Sequence, residues 1–328
     1  MSMFSITMTG SESEMKEETN PPLHWENEPA VSVIIPSFNE ERQIRACLRS
    51  LLHQQTRWPY EIIVVDSSTD ATPRIIAEEF PSVRLIHQDG RLSPAQARNR
   101  GLQSARAPFI AFLDADCVAD PGWIEAIVSA HRESHPAIGG SISLAAPSTI
   151  PGALLFVIEF SEFVPRSRPR EVRWLPSCNL SLKRDAIPTD GAFPEEMEAS
   201  EDIVFSRRLM KRTGRPLWFD PRVRIAHTNL NTWSDVHRRL DHLGYWSARS
   251  RQSGLVPGAV LIRFPLLIPL LIPYRFSMIL WRLLRGRGQK KLLLLALIGF
   301  PLLLYGLTCW SLGFWRGARA ARHGAHER

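Results

Sequence analysis

Acidic residues almost vanish from the rear of this chain. Of its 33 Asp and Glu, only 4 fall between residues 203 and 328, where they meet 22 Lys and Arg. Residues 1–202 reverse the balance, with 29 acids against 18 bases, so a net charge of +7 hides a front of −11 and a rear of +18. A rear of that sign faces a polyanion, either nucleic acid or an anionic membrane. Cysteine is scarce as well. Cys47, Cys117, Cys178 and Cys309 are too scattered for a disulfide framework or a zinc array, which assigns the soluble part to a reducing, cytosolic compartment. Residues 1–28 contain no apolar h-region and are expected to be a disordered polar leader, not a signal peptide. Charge is missing altogether from 292 to 314, a stretch long enough to cross a bilayer.

What is present in the front half is a repeating pattern. The β-branched run 31–35 stops at Pro36 and is followed by Ser37, Phe38, Asn39 and Glu40; Ile44, Leu48, Leu51 and Leu52 then recur at helical spacing. A second strand is expected over 61–65, ending in Asp66 to Asp70, with a helix over 71–80 that tolerates Pro73 in its first turn. A third strand over 83–86, a helix over 95–104 and a fourth strand over 108–113 complete the series. Alternation at these intervals predicts βαβ units in a mostly parallel sheet. Ligands of such sheets gather beyond the carboxyl ends of the strands, where Asn39, Asp66, Asp70, Asp114 and Asp116 all fall.

Asp114-Ala115-Asp116, directly after the fourth strand, is the most telling motif. Two carboxylates at i and i+2 beyond a buried strand have a purpose if they face a cation, and oxygen ligands suit Mg²⁺ or Mn²⁺ bound to a diphosphate. Alone, the pair reads equally well as an Asp-rich turn. Glu201-Asp202 opens an amphipathic helix, where acids are also favoured by the helix dipole alone.

The rear is a membrane-associated region in this reading, over 251–328. An apolar stretch 255–284 is interrupted by Pro257, Pro265, Pro269 and Pro273 and carries Arg263 and Arg275, so it reads as a broken interfacial element or a kinked span. The basic link 282–291 leads into the uncharged segment 292–314, whose Tyr305, Trp310 and Phe314 lie towards the far end, before Trp315. Basic residues on both sides of that segment are best served by a hairpin-like insertion bending near Gly299, Phe300 and Pro301. A membrane partner makes nucleic acid a poor use of the positive charge.

Taken in order, these motifs resemble inverting, family 2 type glycosyltransferases of the GT-A fold, across roughly residues 29–245, with the catalytic domain expected over 29–250. The likeness is carried by the opening 31–40, by 61–70, by Ala97-Arg98-Asn99-Arg100-Gly101, by Phe112 to Asp116, and by Ser200-Glu201-Asp202. The resemblance implies a Rossmann-like α/β domain that binds a nucleotide-diphosphate sugar. It assigns Pro36, Asn39 and Glu40 to the donor loop, Asp66 to the base, Asp70 to a supporting place and Arg98 to the neighbourhood of the diphosphate. Asp114 would lie near ribose and metal water, Asp116 would ligate Mg²⁺ or Mn²⁺, and His227 would join the metal or diphosphate. Asp202 would be the general base, with Glu201 its local rival. Cys178 and Asn179 would line the acceptor side, although relatives often carry Gly near Ser177 or Cys178.

The expected activity is metal-dependent hexosyl transfer to a hydroxyl of a lipid-linked acceptor at the cytosolic face of the inner (plasma) membrane, in polysaccharide or glycolipid synthesis. Absence of a Gln-x-x-Arg-Trp segment favours a single transfer per acceptor over chain extension. Two other classes remain open: a membrane-anchored, non-catalytic nucleotide-sugar-binding protein, and a nucleotidyltransferase. The second would need a glycine-rich activating loop after the first strand, and Ser37 to Glu40 does not supply it.

Overall fold

A computed structural model describes residues 28–131, 135–146, 148–166, 168–188, 192–229, 232–286 and 288–323. The expected leader, apart from Glu28, and Arg287 of the basic link lie outside the described residues. The front half builds as its pattern predicts. Strands β1 (Val31–Ser37), β2 (Tyr60–Asp66), β3 (Arg84–His87) and β4 (Phe109–Leu113) are separated by helices Ile44–Leu52, Thr72–Glu79 and Pro94–Ser104. They pair in parallel in the order β3-β2-β1-β4.

Beyond β4 the sheet changes character. Strands β5 (Cys117–Ala119), β6 (Ala137–Leu144), β7 (Arg170–Val172), β8 (Asn179–Lys183) and β9 (Leu217–His227) extend it in the order β4-β8-β6-β9-β5, with β7 also on β9. Here β8 runs antiparallel to both β4 and β6, β9 parallel to β6, and β5 and β7 antiparallel to β9. A mostly parallel sheet is therefore right for the front and gives way to a mixed one behind. Apolar runs report that a strand is buried, not its direction. The β6–β9 register shifts at Gly140 and Ser141, and a Cβ on Gly140 would strike the Val223 carbonyl.

The helix that carries Arg98 is tightly specified. Ser93 and Gln96 close a reciprocal capping box, with Ser93 Oγ accepting from Gln96 N at 3.2 Å and Gln96 Oε1 from Ser93 N at 2.9 Å, and Pro94 fixes the first turn. Gly101 lets this helix sit directly on Ile34 of β1, so Arg98 arrives at the carboxyl edge of the sheet.

The rear helices are Trp233–Arg249, Leu271–Arg285, Lys290–Ile298 and Phe300–His323. Phe300–His323 lies along Trp233–Arg249 at backbone contact: a Cβ at Gly244, Gly313 or Gly317 would meet the Trp310, Asp241 or Tyr245 carbonyl respectively. Small residues permit such approach. Within the uncharged segment 292–314 the chain bends as expected: Lys290–Ile298 and Phe300–Arg322 meet at 83°, at the Gly299-Phe300-Pro301 hinge. The proline-bearing stretch supplies Pro265–Arg285, the one described helix long and apolar enough by itself to cross a membrane. Pro265 opens its first, 3-10 part (Pro265–Leu270) and Pro273 falls in the first turn of Leu271–Arg285, where a missing N–H is least costly, while Pro269 lies inside the 3-10 part.

Candidate active site

Two adjoining cavities open at the carboxyl ends of β1, β2 and β4. The first, of about 350 Å³, is walled by Pro36, Phe38, Glu40, Arg91, Asp116 and Asn229 among others. The second, of about 370 Å³, runs from Ser177, Cys178, Glu201 and Asp202 to the rear helices at Arg275 and Trp310. Pro94, Arg98, Asp114, Glu159, His227 and Arg239 face both, so the two spaces form one cleft.

Loop chemistry shapes the first cavity. Asn39 adopts φ of 58°, a left-handed conformation that Asn tolerates. Its Oδ1 accepts from Thr69 N at 2.9 Å, its N–H donates to Ser68 Oγ at 2.7 Å, and Glu40 N donates to Thr72 Oγ1 at 2.9 Å. The loops after β1 and β2 are thereby stitched together. Asp70 belongs to the same stitching, accepting from Thr72 N at 2.9 Å and Thr72 Oγ1 at 2.5 Å. Asp66 lies fully buried beneath the cavity, its carboxylate accepting from Ser68 Oγ at 2.6 Å and Ser68 N at 3.1 Å, with His87 Nδ1 at 2.8 Å. Of the expected donor residues, Pro36, Glu40, Arg98, Asp114 and Asp116 wall the cavity, while Asn39, Asp66 and Asp70 support it from behind.

Arg98 is the electrostatic centre. Its side chain is 3% exposed, yet it donates to Asp114 Oδ1 at 2.6 Å and to Glu201 Oε1 at 2.7 Å. Burial alone would disfavour this charge, but the Asp114 and Glu201 carboxylates outweigh it and hold the guanidinium firmly protonated. Asp114 is thus turned towards Arg98. The described residues that gather possible ligand atoms, all within 4.8 Å of one another, are Asp116, Cys117 and His227, so Asp114 is not in that group as the sequence had expected.

The Asp116 group fits a hard divalent ion. His227 Nε2 lies 3.6 Å from Asp116 Oδ2, while its Nδ1 is 3.1 Å from Asn229 Oδ1, which orients the ring. The β5–β9 register places Cys117 opposite His227, which is why residues so distant in sequence meet. Burial raises the Asp116 carboxyl, with His227 opposing and Asp114 reinforcing. Glu40 is pushed up to about 8 by burial, then by Asp116, Asp114 and Asp70. Acids that resist ionising together leave a place for a cation, whose charge would relieve them. Burial also holds the Cys117 thiol well above its ordinary value, so oxygen and imidazole are the natural ligands for Mg²⁺ or Mn²⁺.

In the second cavity the two neighbouring acids separate by their partners. Glu201 is tied to Arg98. Asp202 Oδ1 accepts from Ile203 N at 2.8 Å, and the carboxylate also takes the Ser177 backbone N–H. Burial first, then the Glu201 charge, raise Asp202 to about 7 against the pull of Arg98. A carboxyl so poised is suited to accept a proton near neutrality. Cys178 walls this cavity, but Asn179 does not. Its amide bridges the sheet instead, accepting from Trp123 Nε1 at 2.9 Å and donating to the Val223 carbonyl at 3.1 Å and the Ser141 carbonyl at 3.3 Å. The bulge at Gly140 and Ser141 leaves carbonyls needing a donor, and Asn179 supplies it.

Glu159 and Arg239 were not singled out in the sequence. Glu159 Oε1 accepts from Arg239 Nε at 3.1 Å between the two cavities. A signal existed: Glu159 is the one charged residue in the apolar helix Ile150–Phe160, and a carboxylate in such a setting requires a partner.

Comparison with known proteins agrees with this geometry. Residues 32–149 match the family model described as glycosyl transferase family 2. Glycosyltransferase AglE of Haloferax volcanii is 26% identical over 186 residues, covering 55% of this chain and 61% of that protein. Pre-mycofactocin glycosyltransferase of Mycobacterium tuberculosis is 28% identical over 222 residues, 62% of this chain and 44% of that one. The chain thus spans about half the length of these curated relatives. Among solved structures, the mannosyltransferase PcManGT of Pyrobaculum calidifontis, in complex with GDP-Man and Mn²⁺, superposes with a TM-score of 0.53 at 20% identity, covering 90% of this chain and 87% of that one. S. aureus TarS 1–349, in complex with UDP-GlcNAc, gives 0.50 at 17%, covering 90% and 92%. The fold is GT-A, and residues 32–149 match a family 2 glycosyltransferase domain.

Proposed function

We propose that this chain, with its family 2 glycosyltransferase domain, moves a hexose from a nucleotide-diphosphate donor to a hydroxyl of a lipid-linked acceptor, with inversion at the anomeric carbon. The observation that carries this is the single cleft in which Asp116 lies at one end and Asp202 at the other, with His227, Arg98 and Asp114 between them.

Donor nucleotide occupies the first cavity in this reading, against Pro36, Glu40 and the Phe38–Arg91 pair, whose guanidinium sits 5.4 Å from the ring centroid. Asp116 and His227 would hold a divalent ion, which when bound would offset the charge growing on the departing diphosphate. Asp202 takes the proton from the acceptor hydroxyl as that oxygen attacks in line, so no protein acid is needed for the leaving group. Arg98 anchors Asp114 and keeps Glu201 occupied, leaving Asp202 as the available base. Most exposed large apolar side chains among the described residues lie between Val260 and Trp315, and Arg285 and Arg319 stack on Trp281 and Trp315 at 4.2 and 4.8 Å. Aromatic and arginine pairs around an apolar face suit the cytosolic surface of an inner membrane, where a lipid acceptor would be met.

The test is nucleoside diphosphate release by detergent-solubilised protein from a panel of nucleotide-sugars, with Mg²⁺ or Mn²⁺ and a membrane lipid extract. Lipid-dependent release that disappears in Asp116→Ala and Asp202→Ala is the expected result. Release unchanged by either substitution would sink the assignment.

A further inference from the structure

We propose that the acceptor carries a phosphate, and that Arg251 and Arg275 bind it. This rests on the glycosyl-transfer reading and names the chemical class of the second substrate.

The cavity that begins at Asp202 ends against these two arginines. Arg275 lies with its guanidinium carbon 4.1 Å from the Trp310 ring centroid, and Arg251 lies 4.9 Å from that of Phe314. The two rings are neighbours on one helix, 5.3 Å apart, so the guanidiniums are presented side by side on an aromatic shelf. Stacking fixes their planes without consuming their donors.

Charge around the cavity is otherwise paired. Arg98 holds Asp114 and Glu201, Arg239 holds Glu159, and Arg282 holds Glu162. Glu198 lies 4.0 Å from both Arg91 and His242, and Asp202 sits at the catalytic end. Among the described residues no carboxylate lies within ion-pair distance of Arg251 or Arg275. Arg251 donates only to Ser247, through its carbonyl and its Oγ, and the Nε atoms of both arginines are buried without a partner. Arg275 is also within electrostatic reach of Arg282 and Arg251. Two half-buried, mutually repelling cations with open donors are costly unless an anion joins them. A phosphate matches the forked donors of guanidinium, and its place beneath the apolar helices suits a headgroup whose tail continues into lipid.

The experiment is equilibrium binding of farnesyl phosphate, farnesol and inorganic phosphate to the full chain in detergent, with GDP and UDP nucleotide-sugar binding measured in parallel. Farnesyl phosphate is expected to bind at least about tenfold more tightly than farnesol, as charge-assisted hydrogen bonds allow. Arg275→Gln and Arg251→Gln each remove that preference while leaving farnesol and nucleotide-sugar binding unchanged, Arg275→Lys keeps part of it, and Arg319→Gln keeps all of it. Equal binding of the phosphate and the alcohol, or a preference untouched by both glutamine variants, overturns the proposal. Inorganic phosphate binding as tightly as farnesyl phosphate also overturns it, assigning the pair to a free anion. Selective farnesyl phosphate binding without any nucleotide-sugar binding would support phosphate recognition and remove the transfer reading alone.

Discussion

The front of the molecule and its rear are built by different rules. From Val31 to Asp116 the chain lays down parallel strands and intervening helices, and its acids collect at the sheet edge. From Trp233 onward it lays helix on helix at backbone distance through Gly244, Gly313 and Gly317, and several of its arginines line the cleft or lie over aromatic rings. The two halves meet where Arg239 of the rear holds Glu159, while Arg98 ties the sheet edge to the helix that begins at Glu201. In the proposed reading, a site assembled this way takes its chemistry from the front, while the rear decides what the chemistry is performed on.

The sharpest way to break that division is at Asp202, the front-derived acid nearest the rear helices. Asp202→Asn keeps the shape and removes the base, so kcat is expected to fall by about 10²–10⁴-fold, the usual contribution of a positioned general base. Nucleotide-sugar binding should survive. Single-turnover rates beside donor affinity make the separation visible, and loss of donor affinity instead would place Asp202 in the donor pocket.

Arg98→Gln attacks the tie between the sheet edge and the acids of the second cavity. Leaving Asp114 and Glu201 without their buried partner is expected to cost about 3–5 kcal/mol of stability in chemical denaturation. The pH profile carries a second signature. Asp202 is raised to about 7 by burial and Glu201, with Arg98 pulling it down, so removing Arg98 moves the acid limb of kcat/KM to higher pH. The linked stability has the corresponding sign. A carboxyl raised in the fold stabilises fully below its unfolded value, and that contribution is lost as pH rises through about 7. An acid limb that stays put in Arg98→Gln would show that Asp202 does not feel this guanidinium.

The same contrast explains what could be read in advance. Every strand and helix from Val31 to Leu113 was legible, because period and punctuation are local properties of the chain. So were the acids at the strand ends, because topology alone puts them on one edge. Roles that depend on packing were not. Asn179 sits in a motif-like segment, yet a bulge around Gly140 turns it into the sheet. Asp114 and Asp116 are two residues apart, yet Arg98 captures one and His227 faces the other. The bend at Gly299-Phe300-Pro301 was legible from its punctuation, whereas the close docking of Phe300–His323 on Trp233–Arg249 was not.

That docking offers a smaller but cleaner effect. A side chain at Gly313 must displace the Asp241 carbonyl, so Gly313→Val should prise Phe300–His323 from Trp233–Arg249. Overpacking of this kind costs about 1–3 kcal/mol. Thermal melts of the solubilised chain should fall accordingly, and proteolysis should cut first at the link around Gly288. An unchanged melt would mean that the two helices do not stay in contact in solution.

The smallest expected effect concerns the membrane alone. Lys290 and Lys291 are exposed at the start of Lys290–Ile298, beside the apolar face and away from the cleft. If the rear is an interfacial platform, each should contribute about 1 kcal/mol to binding vesicles that contain anionic lipid, an attraction that salt screens within a Debye length. Lys290→Gln with Lys291→Gln should therefore weaken flotation with anionic vesicles at low salt, change little with neutral ones, and leave turnover of a detergent-dispersed acceptor intact. That combination separates where the enzyme sits from what it does, because the donors that grip the headgroup, Arg251 and Arg275, remain in place. Equal loss from anionic and neutral vesicles would make the lysines part of the packing instead, and the rear would then hold its place by apolar insertion without help from charge.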